Sequence, residues 1–273
     1  MAASIAARIR AFHALHATGC FVMPNPWDAG SARLLATMGF KALATTSAGF
    51  AWTLGRRDND VALDLMLAQL AAIAAAVDVP VNADFEGGFA VAPDGVALNV
   101  GRAITTGIAG LSIEDSTGNA AAPLFDRALA IDRIRAARRA IDASGTGVLL
   151  TARSEGFIVG RPDLAETVTR LAAFAEAGAD CVYAPGIRTA EEISAVVTAV
   201  RPTPVNLLVH APFISVAEAA ALGVRRISVG GALARVAWAG VLDTAEEIAA
   251  HGTFTGLQRG APAADLNRRF GAP

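Results

Sequence analysis

From Cys20 onward the chain alternates short β-like runs with Ala-rich helical stretches, and it does so eight times. The runs are "CFVMP" (20–24), "KALATT" (41–46), "VPVNAD" (79–84), "GIAGLSIED" (107–115), "GVLLTAR" (147–153), "DCVYAP" (180–185), "TPVNLLV" (203–209) and "RRISVG" (225–230). Helical patterns such as Val61–Val77, Asp126–Ala143, Pro162–Ala177 and Thr189–Val200 lie between them, several opened by a capping Asp, Pro or Thr and closed near Gly. A helix between two strands supplies the crossover that parallel pairing needs, so the sheet is expected to be parallel. Eight such units imply a closed (β/α)₈ TIM barrel of the α/β class. "MGFKAL" (38–43), "AGADCV" (177–182) and "LGVRRI" (222–227) each end a helix with Gly and enter a strand, the turn this fold repeats.

A chain of 273 residues with 53% hydrophobic content fills one core, so residues 1–273 are read as a single domain. Residues 3–17 form an amphipathic N-terminal helix in this reading. Gly231–Ala250 is the eighth barrel helix, and residues 254–273 are a C-terminal extension packing on a neighbour. The 23 Lys and Arg are scattered against 25 Asp and Glu, for a formal charge of −2. No electrostatic footprint for nucleic acid or an anionic membrane results, and the expected partner is a small molecule. The most apolar stretch, "LAQLAAIAAAV" (67–77), contains Gln69 and is short of the roughly 20 residues a bilayer span needs. The first residues lack a signal-peptide core, and Cys20 and Cys181 sit in apolar runs that suit reduced thiols. A cytoplasmic protein is therefore expected.

Barrels of this type carry their working groups at the C-terminal ends of strands. The segment "PVNADFEGGF" (80–89) puts Asp84 and Glu86 there, "LSIED" puts Glu114 and Asp115 on the next strand, and "LLTARSE" adds Arg153 and Glu155. Asp58 lies in "TSAGFAWTLGRRDND", a Gly-containing loop after the second strand. Converging carboxylates repel unless a cation or proton sits among them. With no His or Cys nearby, oxygen-only ligation favours Mg²⁺ or Mn²⁺; the alternative is that each acid caps a loop or pairs with an arginine. Arg153 suits a bidentate grip on a carboxylate or phosphoryl group, or a structural ion pair with Glu155 or Glu114. "TTSAG" (45–49), with Thr46, Ser47 and Ala48, can aim successive N–H groups at an anion. His210, after the seventh strand, is a candidate proton donor or substrate contact, or a loop histidine with no chemical role. Asn206 shares its strand parity. Tyr183 is a donor or a packing residue, and no chemistry is expected of His13, His16 or His251.

Taken together, "NPWDAGSARLLATMGFKALATTSAGFAWTLGRRDND", "PVNADFEGGF", "LSIEDS" and "LLTARSEGF" resemble the isocitrate lyase/phosphoenolpyruvate mutase superfamily over about residues 24–231. The resemblance implies a Mg²⁺-dependent barrel, usually a homotetramer whose eighth helix is exchanged between partners. It matches Asp84 to the direct metal ligand and Glu86 and Glu114 to acids that hold the ion through water. Asp58 matches the acid on the loop after strand two, Arg153 the substrate-gripping arginine, and the Ser47 and Ala48 backbone the carboxylate-binding turn. Glu86 stands where many members have Asp.

The departures bear on substrate. Isocitrate and methylisocitrate lyases carry a Lys-Lys/Arg-Cys-Gly-His loop after strand four, where this chain reads "EDSTGNAAAPLFDRA". They also carry a Glu after strand six, where this chain has "YAPG" with Pro185. Phosphoenolpyruvate mutases carry a Lys and an Asn in that loop and a His after strand six; only Asn119 stands in for these. Ser116–Phe125 is expected to be a mobile lid. The expected function is a Mg²⁺-dependent carbon–carbon lyase acting through an enolate. Decarboxylation of an oxaloacetate-like acid fits best, followed by retro-aldol cleavage of a small 2-hydroxy diacid such as an alkylmalate. The alternatives are P–C chemistry on phosphonopyruvate or phosphoenolpyruvate using Asp58 with Thr117 or Asn119, and a catalytically silent barrel that binds a 2-oxo acid.

Overall fold

A computed structural model describes residues 3–271. Its eight strands are β1 (Phe21–Met23), β2 (Leu43–Ala44), β3 (Val81–Asp84), β4 (Gly110–Glu114), β5 (Leu149–Arg153), β6 (Cys181–Tyr183), β7 (Val205–Leu208) and β8 (Arg226–Ser228). Each falls inside one of the expected runs. All pairs are parallel, in the order β1-β8-β7-β6-β5-β4-β3-β2, so the sheet curls into a nearly closed (β/α)₈ barrel.

The seam between β1 and β2 carries no ladder. Pro24 and Pro26, which follow β1, have no N–H to give. The seam is bridged by the Ala44 N–H donating to the Pro24 carbonyl (3.1 Å) and Asn25 Nδ2 donating to the Thr45 carbonyl (2.9 Å). Asn25 Oδ1 in turn accepts from the Val229 and Gly230 N–H groups, both at 2.9 Å, tying in the end of β8.

The helices are α1 (Ile5–Ala17), α2 (Ala29–Thr37), α3 (Ser47–Thr53), α4 (Leu63–Ala76), α5 (Pro93–Ile104), α6 (Arg127–Ser144), α7 (Leu164–Glu176), α8 (Ala190–Ala199), α9 (Val216–Ala221), α10 (Ala232–His251) and α11 (Ala263–Gly271). Capping boxes open α2 (Asp28/Ser31), α8 (Thr189/Glu192) and α9 (Ser215/Glu218), satisfying N–H groups the first turn leaves free. The three helix-to-strand turns read from the sequence place Gly39, Gly178 and Gly223 at φ of +88°, +104° and +90°, where a side chain would be strained. Helix α1 closes the end of the barrel where the strands begin. Its Ile9, Phe12 and His16 are buried, and a Cβ added to Gly110 at the start of β4 would meet the Phe12 ring at 2.7 Å.

Two segments differ from the sequence reading. The first half of the stretch after β2 is helical: Ser47–Thr53 folds as α3, capped by Thr46 Oγ1 accepting from the Gly49 N–H at 3.2 Å, while Asp58 lies in the loop beyond it. Gly49 is required by packing, since an added Cβ would lie 2.7 Å from Thr46 Cγ2 and 2.9 Å from Trp27 Cβ. The C-terminal extension forms a 3₁₀ turn (Thr255–Arg259) and α11, and α11 docks on α2 of its own chain, with Arg33 Nη2 donating to the Phe270 carbonyl at 3.0 Å. Helix α10 stands apart from the barrel: Ala234 is its buried residue, while Val236, Trp238, Val241 and Leu242 are exposed. No described helix is long and apolar enough to cross a membrane.

Candidate active site

Three adjacent strands end in charge. Asp84 closes β3, Glu114 closes β4 and Arg153 closes β5, with Glu114 and Arg153 directly opposite in the ladder. Arg153 Nη1 lies 2.7 Å from Asp84 Oδ1 and 3.2 Å from Glu114 Oε2, while Nε donates to Glu155 Oε1 at 2.9 Å. One guanidinium thus bridges three carboxylates. Asp84 Oδ2 accepts from the Ser47 N–H (3.0 Å) and Oγ (2.9 Å), which fixes the first turn of α3 against β3. Asp58 Oδ1 lies 3.4 Å from the same hydroxyl and accepts from the Asn59 N–H at 3.0 Å. Glu86 sits at φ +47°, a left-handed conformation that costs a non-glycine residue energy and needs outside support. That support comes from the Glu114 N–H donating to the Glu86 carbonyl at 3.0 Å and from Arg133 Nη2 donating to the Gly87 carbonyl.

Burial, reinforced by crowding, raises the proton affinity of Glu86, Glu114 and Asp58. Burial, then Asp84 and Asp58, pushes Glu86 up to about 8. Burial raises Glu114 well above the usual carboxylate range, with Arg153 opposing and Glu155, Asp84 and Glu86 reinforcing. Asp58 is raised by burial and then by Asp84. Burial works against the charge of Arg153, but Glu155, Glu114 and Asp84 outweigh it and hold the guanidinium protonated. Asp58, Asp84, Glu86, Glu114 and Glu155 outnumber the cations around them, Arg153, Arg133 and Arg226.

That excess suits a hard divalent ion. The donors are all oxygen, and Glu86 Oε1 is buried without a protein partner. Among the described residues, no three His, Cys, Asp or Glu side chains converge closely enough to ligate an ion directly. An ion would therefore be held directly by at most two of these carboxylates and, for the rest, through water.

The expected residues divide between two spaces. Thr46, Ser47, Ala48, Asp58, Asp84 and Arg153 line a cavity of about 170 Å³. It is below the roughly 300–1,000 Å³ of sites for drug-sized ligands, so its occupant is small. Glu86 and Glu114 line an adjoining space of about 310 Å³ beside residues 116–118 and Arg133. Asn119 does not reach either group of acids. Its Oδ1 accepts from the Ala121 N–H at 3.0 Å, and Thr117 Oγ1 donates to the Ala122 carbonyl at 2.5 Å, inside a hairpin closed by a Ser116–Leu124 bridge. His210 also lies outside the smaller cavity, with Nε2 2.8 Å from Arg188 Nη2, and burial with Arg188 and Arg235 lowers its basicity. Thr46 Oγ1 is engaged in capping α3. Tyr183 lines the cavity 5.0 Å from the Arg153 guanidinium, its phenol pushed up to about 12 by burial.

The deeper wall of the cavity went unread in the sequence. Asn25, Asn82, Ser112, Arg226 and Ser228 all line it. The available signal was strand parity: Asn82 precedes Asp84 by two residues and Ser112 precedes Glu114 by two, so each pair shares a face.

The family model for phosphoenolpyruvate phosphomutase matches residues 12–249. An oxaloacetate decarboxylase of Paraburkholderia xenovorans is 30% identical over 234 residues, covering 78% of this chain and 71% of its own. A solved Burkholderia cenocepacia protein, provisionally a lyase or mutase, superposes with a TM-score of 0.95 at 49% identity over 98% of each chain. A solved 2,3-dimethylmalate lyase superposes with a TM-score of 0.85 at 29% identity, covering 99% of this chain and 95% of its own.

Proposed function

The chain belongs to the phosphoenolpyruvate phosphomutase family, and from that premise we propose that it is a Mg²⁺-dependent lyase. It cleaves a carbon–carbon bond of a small 2-oxo or 2-hydroxy acid, oxaloacetate- or alkylmalate-like, through an enolate. The observation that carries this reading is the small polar cavity in which Asp84, Ser47 and Arg153 meet, next to a space lined by a hairpin with no titratable side chain between Ser116 and Phe125. Relatives that act on oxaloacetate and on dimethylmalate support the substrate class.

In this reading Asp84 holds the ion directly, and Glu86 and Glu114 hold it through water. When bound, Mg²⁺ or Mn²⁺ supplies a Lewis acid that draws charge from the enolate oxygen. Arg153 exchanges part of its carboxylate contacts for the substrate carboxylate, and the Ala48 N–H, joined by the Ser47 N–H once it leaves Asp84 Oδ2, faces the same anion. Asp58, its proton affinity raised, moves a proton at the substrate oxygen. The hairpin over the mouth excludes water.

The test is release of CO₂ or of a 2-oxo acid from oxaloacetate, alkylmalates and phosphonopyruvate, with EDTA as control. Turnover of phosphonopyruvate and of no carbon acid would replace this reading with P–C chemistry, which the phosphomutase model favours. Tight binding of a 2-oxo acid without any turnover would make the barrel a sensor. The protein acts in the cytoplasm as a homo-oligomer, a dimer or tetramer, in which the exposed apolar side of α10 is covered by another copy through exchange of this eighth helix.

A further inference from the structure

The cavity has a cationic floor. Arg226 of β8 is 2% exposed and lines the cavity beneath the mouth. Its Nε donates to Asn206 Oδ1 at 2.8 Å, Nη2 to Thr151 Oγ1 at 3.1 Å and Nη1 to His16 Nε2 at 3.3 Å. All three acceptors are neutral. For His16 this follows from geometry, because Nδ1 lies 2.7 Å from the Phe12 carbonyl and so carries the proton, leaving Nε2 as acceptor. Burial, then Arg226, pulls the basicity of His16 down to about 3.

A guanidinium has five N–H groups, and these contacts use three. Among the described residues no carboxylate pairs with Arg226, whereas Arg153 in the same cavity has Asp84, Glu114 and Glu155. A buried cation without a counter-ion is expensive, and neutral acceptors repay the lost hydration incompletely. Such a cost at the bottom of a binding cavity is the mark of a site made for an anion.

We propose that Arg226 is a specificity-determining residue that binds a second carboxylate of the substrate, so that the cavity takes short dicarboxylates. The inference rests on the small-acid reading of the site. Thr151, which Arg226 touches, lies two residues below Arg153 on β5, about 6–7 Å along the strand. One short diacid therefore spans the distance from the mouth to the floor. The competing explanation is that Arg226 only fastens α1 to the barrel through His16.

Calorimetric titration in Mg²⁺ with malate and with 2-hydroxybutanoate separates these, since the two acids share a 2-hydroxy acid head and differ in carboxylate against methyl. Wild type is expected to prefer malate roughly 10- to 100-fold, the range for charge-assisted hydrogen bonds. In Arg226→Gln the preference falls to about threefold or less, with 2-hydroxybutanoate affinity unchanged. Arg226→Lys keeps part of the preference, and His16→Gln lowers Tm while leaving it intact. A preference that survives in Arg226→Gln overturns the inference. If that variant does not fold, wild type and Arg226→Lys still decide: equal binding of both acids by wild type overturns the role of Arg226 while leaving the small-acid site standing. Binding of neither acid overturns both.

Discussion

At the scale of single residues, the strand-end rule explains why part of the site was legible. Asp84 and Arg153 sit at the last positions of β3 and β5, where a barrel must present them, and they meet at 2.7 Å. Arg226 was not legible, because "RRISVG" offers two arginines and a one-residue shift of register exchanges which faces the core. The structure buries Arg226 and turns Arg225 out to the Gly19 carbonyl. If Asp84 is the direct ligand, Asp84→Ala abolishes Mg²⁺ binding and turnover, whereas Glu86→Gln, acting through water, weakens both by roughly 10- to 100-fold. Metal titration of the two variants checks this, and unchanged affinity in Asp84→Ala defeats the assignment. Glu86 also gives the protein a pH signature. Its folded-state value of about 8 stands above the ordinary 4.5, so between these values the folded chain holds a proton that the unfolded chain releases. Stability without metal therefore falls as pH rises through that window. His16, depressed from 6.5 to about 3, works in the opposite direction only below 6.5. The melting temperature in EDTA should drop from pH 6.5 to 8, Glu86→Gln should flatten the drop, and Mg²⁺ should restore more at pH 8. A Tm that climbs over this range refutes it.

Among the elements, strands were easier to read than the segments joining them. All eight follow from apolar runs of strand length, while α3 was hidden because Gly49 resembles a breaker when it is in fact the residue that lets Trp27 and Thr46 close on the helix. The segment from Ser116 to Phe125, expected as a mobile lid, has a local order that its small residues did not announce: a Ser116–Leu124 β-bridge closes it, and Thr117 and Asn119 spend their side chains on its own turns. This hairpin brings no acid to the mouth. Cleavage of isocitrate or methylisocitrate leaves a succinate-like carbanion that needs such a proton donor. Neither acid should be cleaved above background under conditions where an oxaloacetate- or malate-like acid is. Glyoxylate or pyruvate release from the larger acids at comparable kcat/KM would show that another group supplies the proton.

Over the whole molecule, the barrel was legible from the alternation of elements, but the position of α10 was not. Its composition resembles any barrel helix, and nothing in a hydrophobic pattern says whether the apolar side meets its own barrel or another's. The structure leaves Val236 at 71% and Val241 at 57% exposure, an apolar surface unusual for a lone chain in water. Sedimentation should give a dimer or tetramer, and Val236→Asp with Leu242→Asp should shift it toward monomer. A wild-type monomer at micromolar concentration would contradict the assembly. The seam between β1 and β2 has a consequence of another kind. A ladder distributes its opening over many bonds, but the Pro24 carbonyl and the Asn25 side chain carry the junction with β2. The barrel is thus a strip joined at a clasp, and its slow breathing is directed to that clasp. In deuterium labelling the Ala44, Val229 and Gly230 amides, which rely on it, should exchange earlier than those of β4 and β5. Asn25→Ala should hasten their exchange while leaving the far side of the barrel protected, so the mouth would widen beside Ser47 and Asp58 without the fold being lost.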